Sequence, residues 1–125
     1  MSFDLASLDT RIASDEGVWL TLLDISGKDV LDDEGAPVQF KLIGRDSAVA
    51  KEAFGEVAGK EGGALSAASV NALAKCVKGW SDNLTMGGKA FEYSEENART
   101  LAAVPHIQGW IASEVVNRAN FTPPK

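Results

Sequence analysis

One cysteine, one histidine and four prolines in 125 residues leave several functions without their raw material. Cys76 stands alone, so no intramolecular disulfide can form, and its place in an apolar pattern reads as a small buried hydrophobe suited to a reducing cytoplasm. His106 also stands alone, which excludes a His-based metal cage and leaves any serine triad to be assembled around it by the fold. Following Pro105 at a helix start, it reads as a structural or surface residue. No apolar run is long enough to cross a bilayer, and Met1-Ser2-Phe3-Asp4 has neither the basic nor the apolar region of a secretory signal. Neither secretion nor membrane insertion is expected, so the sequons at Asn83-Leu84-Thr85 and Asn120-Phe121-Thr122 read as chance. There is no basic run either. The net charge is -6 with lysine and arginine scattered singly, which opposes phosphate-driven binding of nucleic acid.

Catalytic motifs are missing as well. Gly55-Glu56-Val57-Ala58-Gly59-Lys60-Glu61 resembles a phosphate loop but is one residue short between the glycines, and Glu61 replaces the Mg-binding hydroxyl. The acidic stretch Asp24, Asp29, Asp32, Asp33, Glu34 offers no frame with the alternating ligands, central glycine and closing glutamate of a calcium loop. It reads as a solvated loop. As a nucleophile, Cys76 has only Lys75 and Lys78 nearby in sequence to lower its pKa. The chain reads as a non-enzyme with no cofactor, no metal and no catalytic residue.

What is present is an ordinary globular composition: 45% hydrophobic and 24% charged residues, with three tryptophans. A chain of this length buries roughly two thirds of its unfolded surface, which suits a single domain over 1–125. Residues 3 to 12 carry Phe3, Leu5, Leu8 and Ile12 at mixed spacing, as a short helix or an arm laid on a neighbour, within an N-terminal arm over 1–16. Val18–Leu23 and Pro37–Ile43 are the two best strands, the second alternating through Val38, Phe40 and Leu42. The acidic link between them predicts an antiparallel hairpin with a long mobile connection.

Asp46 or Ser47 can cap a helix whose apolar side holds Val49, Ala53, Phe54 and Val57, turned to the sheet. A glycine-rich hinge spans 59–65. A helix capped by Ser66 then runs from about Ala67, with Val70, Leu73, Val77 and Trp80 as its stripe and Gly79 near its close. After a Gly87-Gly88 turn, Ala90–Tyr93 is a candidate third strand. Ser94 caps a helix with Glu95 and Glu96 in its first turn and Ala98 and Leu101 inward. Pro105 separates it from a last helix, about Val104 to Ala119, with Ile107, Trp110, Ile111 and Val115 on its apolar side. The segment 121–125 is a flexible tail. No internal repeat or low-complexity block is read. The fold class is therefore α+β: a small antiparallel sheet packed on about four helices, with a mainly helical C-terminal half. Trp80 and Trp110 are each either a core anchor, the favoured reading, or the centre of a partner-binding patch.

The order Gly17-Val18-Trp19-Leu20, Phe40-Lys41-Leu42-Ile43-Gly44-Arg45-Asp46-Ser47, Lys78-Gly79-Trp80-Ser81, Gly88-Lys89, Tyr93-Ser94-Glu95-Glu96-Asn97-Ala98-Arg99, Trp110-Ile111 and Asn120-Phe121 resembles the tail assembly chaperones of long-tailed bacteriophages and prophages. The likeness covers residues 17 to 121. It implies a non-catalytic morphogenesis factor of the host bacterial cytoplasm that binds the helical tape-measure protein and keeps it soluble while the tail tube polymerises. Such a factor is absent from the mature virion. The resemblance also implies recruitment of the tail-tube protein through a frameshifted, extended form, and it allows self-association into a homo-oligomer. The candidate contact residues under this reading are Trp80, Trp110, Ile107 and Phe121. The alternative is a structural tail-tube or tail-completion subunit.

Overall fold

A computed structural model of the chain describes residues 2–123. Strands β1 (Val18–Thr21) and β2 (Gln39–Leu42) pair antiparallel, with Leu20 opposite Phe40 and Trp19 opposite Lys41. The third strand is β3 (Val77–Trp80), which pairs with the other side of β2 through Phe40 and Trp80. The sheet order β1-β2-β3 thus puts β2, whose Phe40 and Leu42 are fully buried, in the centre. Helices α1 (Arg11–Glu16), α2 (Ala48–Gly55), α3 (Gly62–Lys75), α4 (Glu95–Ala102) and α5 (Pro105–Val116) complete the α+β fold, with 3-10 turns at Leu5–Leu8 and Arg118–Phe121.

β3 corrects the expected helix over Ala67 to Trp80. Val70, Leu73, Val77 and Trp80 do fit a helical stripe, but α3 begins at Gly62 and stops at Lys75, with Glu61 rather than Ser66 at its N-cap. Val77 and Trp80, both good strand formers, take the vacant side of β2, and a bulge between the strands absorbs Lys78. Gly79 is therefore a strand residue. Of the expected 59–65 hinge, Gly62 and Gly63 lie inside α3.

The expected third strand at 90–93 is displaced too. Lys89–Ala90 (β5) pairs with Thr85–Met86 (β4) in a separate ribbon across Gly87-Gly88. Phe91 to Tyr93 then runs beside β3: the Phe91 carbonyl accepts the Trp80 indole N–H at 2.5 Å, and the Tyr93 hydroxyl donates to the Val77 carbonyl at 3.2 Å.

The link from Asp24 to Ala36, expected as a mobile connection without a repeat, is hydrogen-bonded throughout its turns and contains an eight-residue repeat. Leu22-Leu23-Asp24-Ile25-Ser26-Gly27-Lys28-Asp29 is followed in register by Val30-Leu31-Asp32-Asp33-Glu34-Gly35-Ala36-Pro37. In each unit the aspartate carboxylate accepts from the backbone two and four residues on, at 2.9–3.0 Å in the first and 2.9 Å in the second. Each turn is closed by a glycine at φ +86° or +83°. The units meet in a cycle: Leu22 N–H donates to Val38, Val30 to Leu22 and Val38 to Val30, at 2.8–2.9 Å. Three segments eight residues apart satisfy one another's backbone, so the acidic link is ordered by main-chain bonds and buries Leu22 and Val38.

One apolar cluster joins the inner sheet face (Phe40, Leu42, Val77, Trp80) to Leu73 and Ala74 of α3, Ala98 and Leu101 of α4, and Trp110, Ile111 and Val115 of α5. Ser47 and Ser94 cap α2 and α4 as expected, their hydroxyls accepting from the third residue on at 3.1 Å and 3.0 Å. On α2, Ala50 and Ala53 are buried while Val49 is exposed; the helix packs on α3 rather than the sheet. The last helix ends at Val116, before the expected Ala119. The 3-10 turn that follows buries Phe121 against Gly44, so this residue does not begin a flexible tail; Pro124 and Lys125 lie outside the described residues.

Candidate partner-binding surface

Three of the four contact residues expected from sequence are core residues. Trp80 is held between Phe91, stacked at 5.6 Å, and Phe40 and Tyr93 at 5.8 and 5.2 Å. Trp110 meets Phe40 edge-on at 5.5 Å, and its buried N–H has no hydrogen-bond partner. Phe121 is 1% exposed. Ile107 is half-buried and packs on the core. Their burial follows from size: the residues large enough to anchor a partner are also those that gain most by leaving water on folding. These four residues do not form one exposed patch.

The accessible apolar groups lie elsewhere. Trp19 is 51% exposed on the outer face of the sheet, with its ring edge over Gly79, where a side chain would otherwise stand. Leu22 pairs with Val38 through its N–H, so by antiparallel alternation Leu20 and Val18 bond to β2 and the backbone of Trp19 and Thr21 faces the open side of β1. Among the described residues no other segment pairs with that edge. Strand alternation could have found Trp19, since placing Phe40 and Leu42 inward places it outward.

The first turn of the repeat presents Ile25, 89% exposed, above a shallow hollow of about 540 Å³ lined by Leu22, Leu23, Val30 and His106. The Leu23 carbonyl lies 2.6 Å from His106 Nε2. A carbonyl only accepts, so Nε2 carries the proton and the ring is held as a brace between α5 and the repeat. A second hollow, about 140 Å³, lies between α3, β3 and α4. Val49 of α2, Ala74, Val77 and Tyr93 line it together with Asn71, and the exposed Lys75, Lys78, Glu95 and Arg99 make its rim. The third apolar area is Phe3, Leu5, Leu8 and Ile12, each at least 66% exposed.

Burial pushes the Cys76 thiol up to about 12, against a small opposing effect of Lys78, so at neutral pH it is a thiol and not a nucleophilic thiolate. No group of three or more His, Cys, Asp or Glu that could hold a metal ion occurs among the described residues. The strongest charge cluster is structural: Asp46 accepts from Arg118 at 2.8 and 2.9 Å and from the Thr10 hydroxyl, and these donors hold its carboxyl well below the usual aspartate range. Among the described residues no helix is long and apolar enough to cross a membrane. Compared with protein-family models, curated proteins and solved structures, the chain finds no match in any of the three.

Proposed function

We propose that this protein is a tail assembly chaperone of a long-tailed bacteriophage or prophage, which binds the tape-measure protein in the host cytoplasm and is left out of the finished virion. The observation that carries the reading is the ordered set of motifs from Gly17 to Phe121 that resembles that family. The surface is compatible with it. A long amphipathic client that must later be released suits shallow apolar contacts better than a deep pocket, and the hollow beneath Ile25 is shallow, apolar and bordered by the acidic turns of the repeat. The client's apolar stripe would lie along Leu23, Ile25 and Val30.

Co-expression with a tape-measure protein of such a phage tests the reading. The client is expected to remain soluble and to co-purify with the wild-type chain, and to precipitate when Ile25→Asp replaces it. An insoluble client that never co-purifies with the wild-type chain sinks the proposal. The open edge of β1 favours a second reading, a tail-tube or tail-completion subunit joined by strand addition. Mass spectrometry of purified particles separates the two, because a chaperone is missing from them and a subunit is abundant.

A further inference from the structure

The segment Phe3–Ile12 and the hollow between α3, β3 and α4 are opposites in both shape and charge. Along the first, Phe3, Leu5, Leu8 and Ile12 project into solvent; Asp9 pairs with Arg11 at 2.8 Å, which leaves Asp4 as the segment's carboxylate without a cation. No residue of the turn Leu5–Leu8 is buried. The segment is nonetheless anchored just after these side chains. The Thr10 hydroxyl donates to Asp46, the Ser14 carbonyl accepts from Gly44 N–H at 3.0 Å, and Asp15 accepts from Ala48 N–H at 2.9 Å. It is a fixed arm with a bare apolar side.

The hollow supplies what the arm lacks. At about 140 Å³ it falls below the roughly 300–1,000 Å³ of a small-molecule pocket, and suits one apolar side chain instead. Its rim holds three cations against Glu95 in a chain whose net charge is -6. Lys75 lies 3.6 Å from Glu56, while Lys78 and Arg99 have no ion-pair partner among the described residues. Apolar walls with cations at the lip match apolar side chains flanked by a carboxylate.

We infer that the arm of one copy docks in the basic-rimmed hollow of the next, with Leu5 or Leu8 seated between Val49, Val77 and Tyr93 and Asp4 beside Lys78 and Arg99. The contact is heterologous, since arm and hollow are different surfaces of the same chain. Each bound copy leaves one arm and one hollow open, so the contact propagates into a ring or an open spiral. This inference stands apart from the chaperone reading, because it concerns the purified chain alone.

Sedimentation velocity over a wide concentration range tests it with two variants, each checked for native circular dichroism. Leu5→Ser with Leu8→Ser spoils the arm, and Lys78→Glu with Arg99→Glu spoils the hollow; all four side chains are exposed, so the fold is expected to survive. The wild-type chain is expected to gain mass with concentration, and each variant to lose that gain and stay monomeric. An equimolar mixture of the variants still contains one good arm and one good hollow, and is expected to form a dimer and nothing larger. A wild-type chain that is monomeric throughout overturns the inference, whether its arm lies on its own hollow or awaits a different protein. Variants that still assemble, or a mixture that stays monomeric, overturn it too.

Discussion

Trp80 and Trp110 touch the same ring, Phe40, yet their indole N–H groups have opposite fates. Trp80 donates to the Phe91 carbonyl, whereas the buried Trp110 N–H meets no acceptor. A buried donor without a partner costs about 1–3 kcal/mol. Trp110→Phe removes that penalty along with some apolar contact and is expected to stay within about 1 kcal/mol of wild type. Trp80→Phe loses a satisfied bond and part of the stack on Phe91, and is expected to cost about 2–3 kcal/mol. Denaturant unfolding of the two variants side by side checks the contrast. Asp46 gives a pH signature at the same scale. Its carboxyl is held below the usual aspartate range by Arg118 and Thr10, so its stabilisation is present above the ordinary aspartate pKa and is lost as pH falls through the lower folded value. Thermal melts of wild type and Asp46→Asn are expected to differ fully down to a pH of about 4 and to converge only as pH falls further, toward the lowered folded value.

Elements were legible where their signals are local. Helix α4 announces itself through Ser94, the glutamates after it and the inward Ala98 and Leu101. Strand β3 does not, because what makes Val77–Trp80 a strand is the free side of β2, some thirty-five residues earlier, while the local spacing favours a helix. Exposed and buried tryptophans are hard to tell apart for a related reason: size and apolarity nominate core and interface alike, and only the position of the sheet face tells Trp19 from Trp80. The paired turns were legible in principle, as aspartate and glycine recur at a fixed interval of eight, but the acidic side chains read as solvation. The repeat makes a prediction at its own scale. Gly27 and Gly35 hold the same left-handed backbone with open space around the position of a Cβ, so alanine meets conformational strain and nothing else. Gly27→Ala and Gly35→Ala are each expected to cost about 1 kcal/mol, and by matching amounts. Unfolding measurements that find either substitution silent would mean that the turn is not held.

Across the whole molecule, the corner from Gly44 to Ser47, between β2 and α2, fastens both distant ends of the chain. Gly44 N–H donates to Ser14 and Arg45 N–H to Val115, each at 3.0 Å, while Asp46 grips Thr10 from one side and Arg118 from the other. Ser14, Ser47 and Phe121 are sealed beneath it, none more than 1% exposed. Gly44 is where the packing admits no extra atom: a Cβ there would lie 2.5 Å from the Ser14 hydroxyl and 3.0 Å from the Phe121 ring. The hydroxyl can rotate, but the ring is fixed by its burial. Gly44→Ala is therefore expected to destabilise by about 2 kcal/mol through overpacking, and Phe121→Ala by about 3–4 kcal/mol through the cavity it leaves. Removing the ring also removes most of what the new methyl strikes, so the double variant should be more stable than the sum of the two losses predicts by about 1–2 kcal/mol. A double-mutant cycle measured by chemical denaturation reads that difference directly. Strict additivity would mean that Gly44 and Phe121 are not in contact, and that the arm and the final turn are fastened to the core independently of each other.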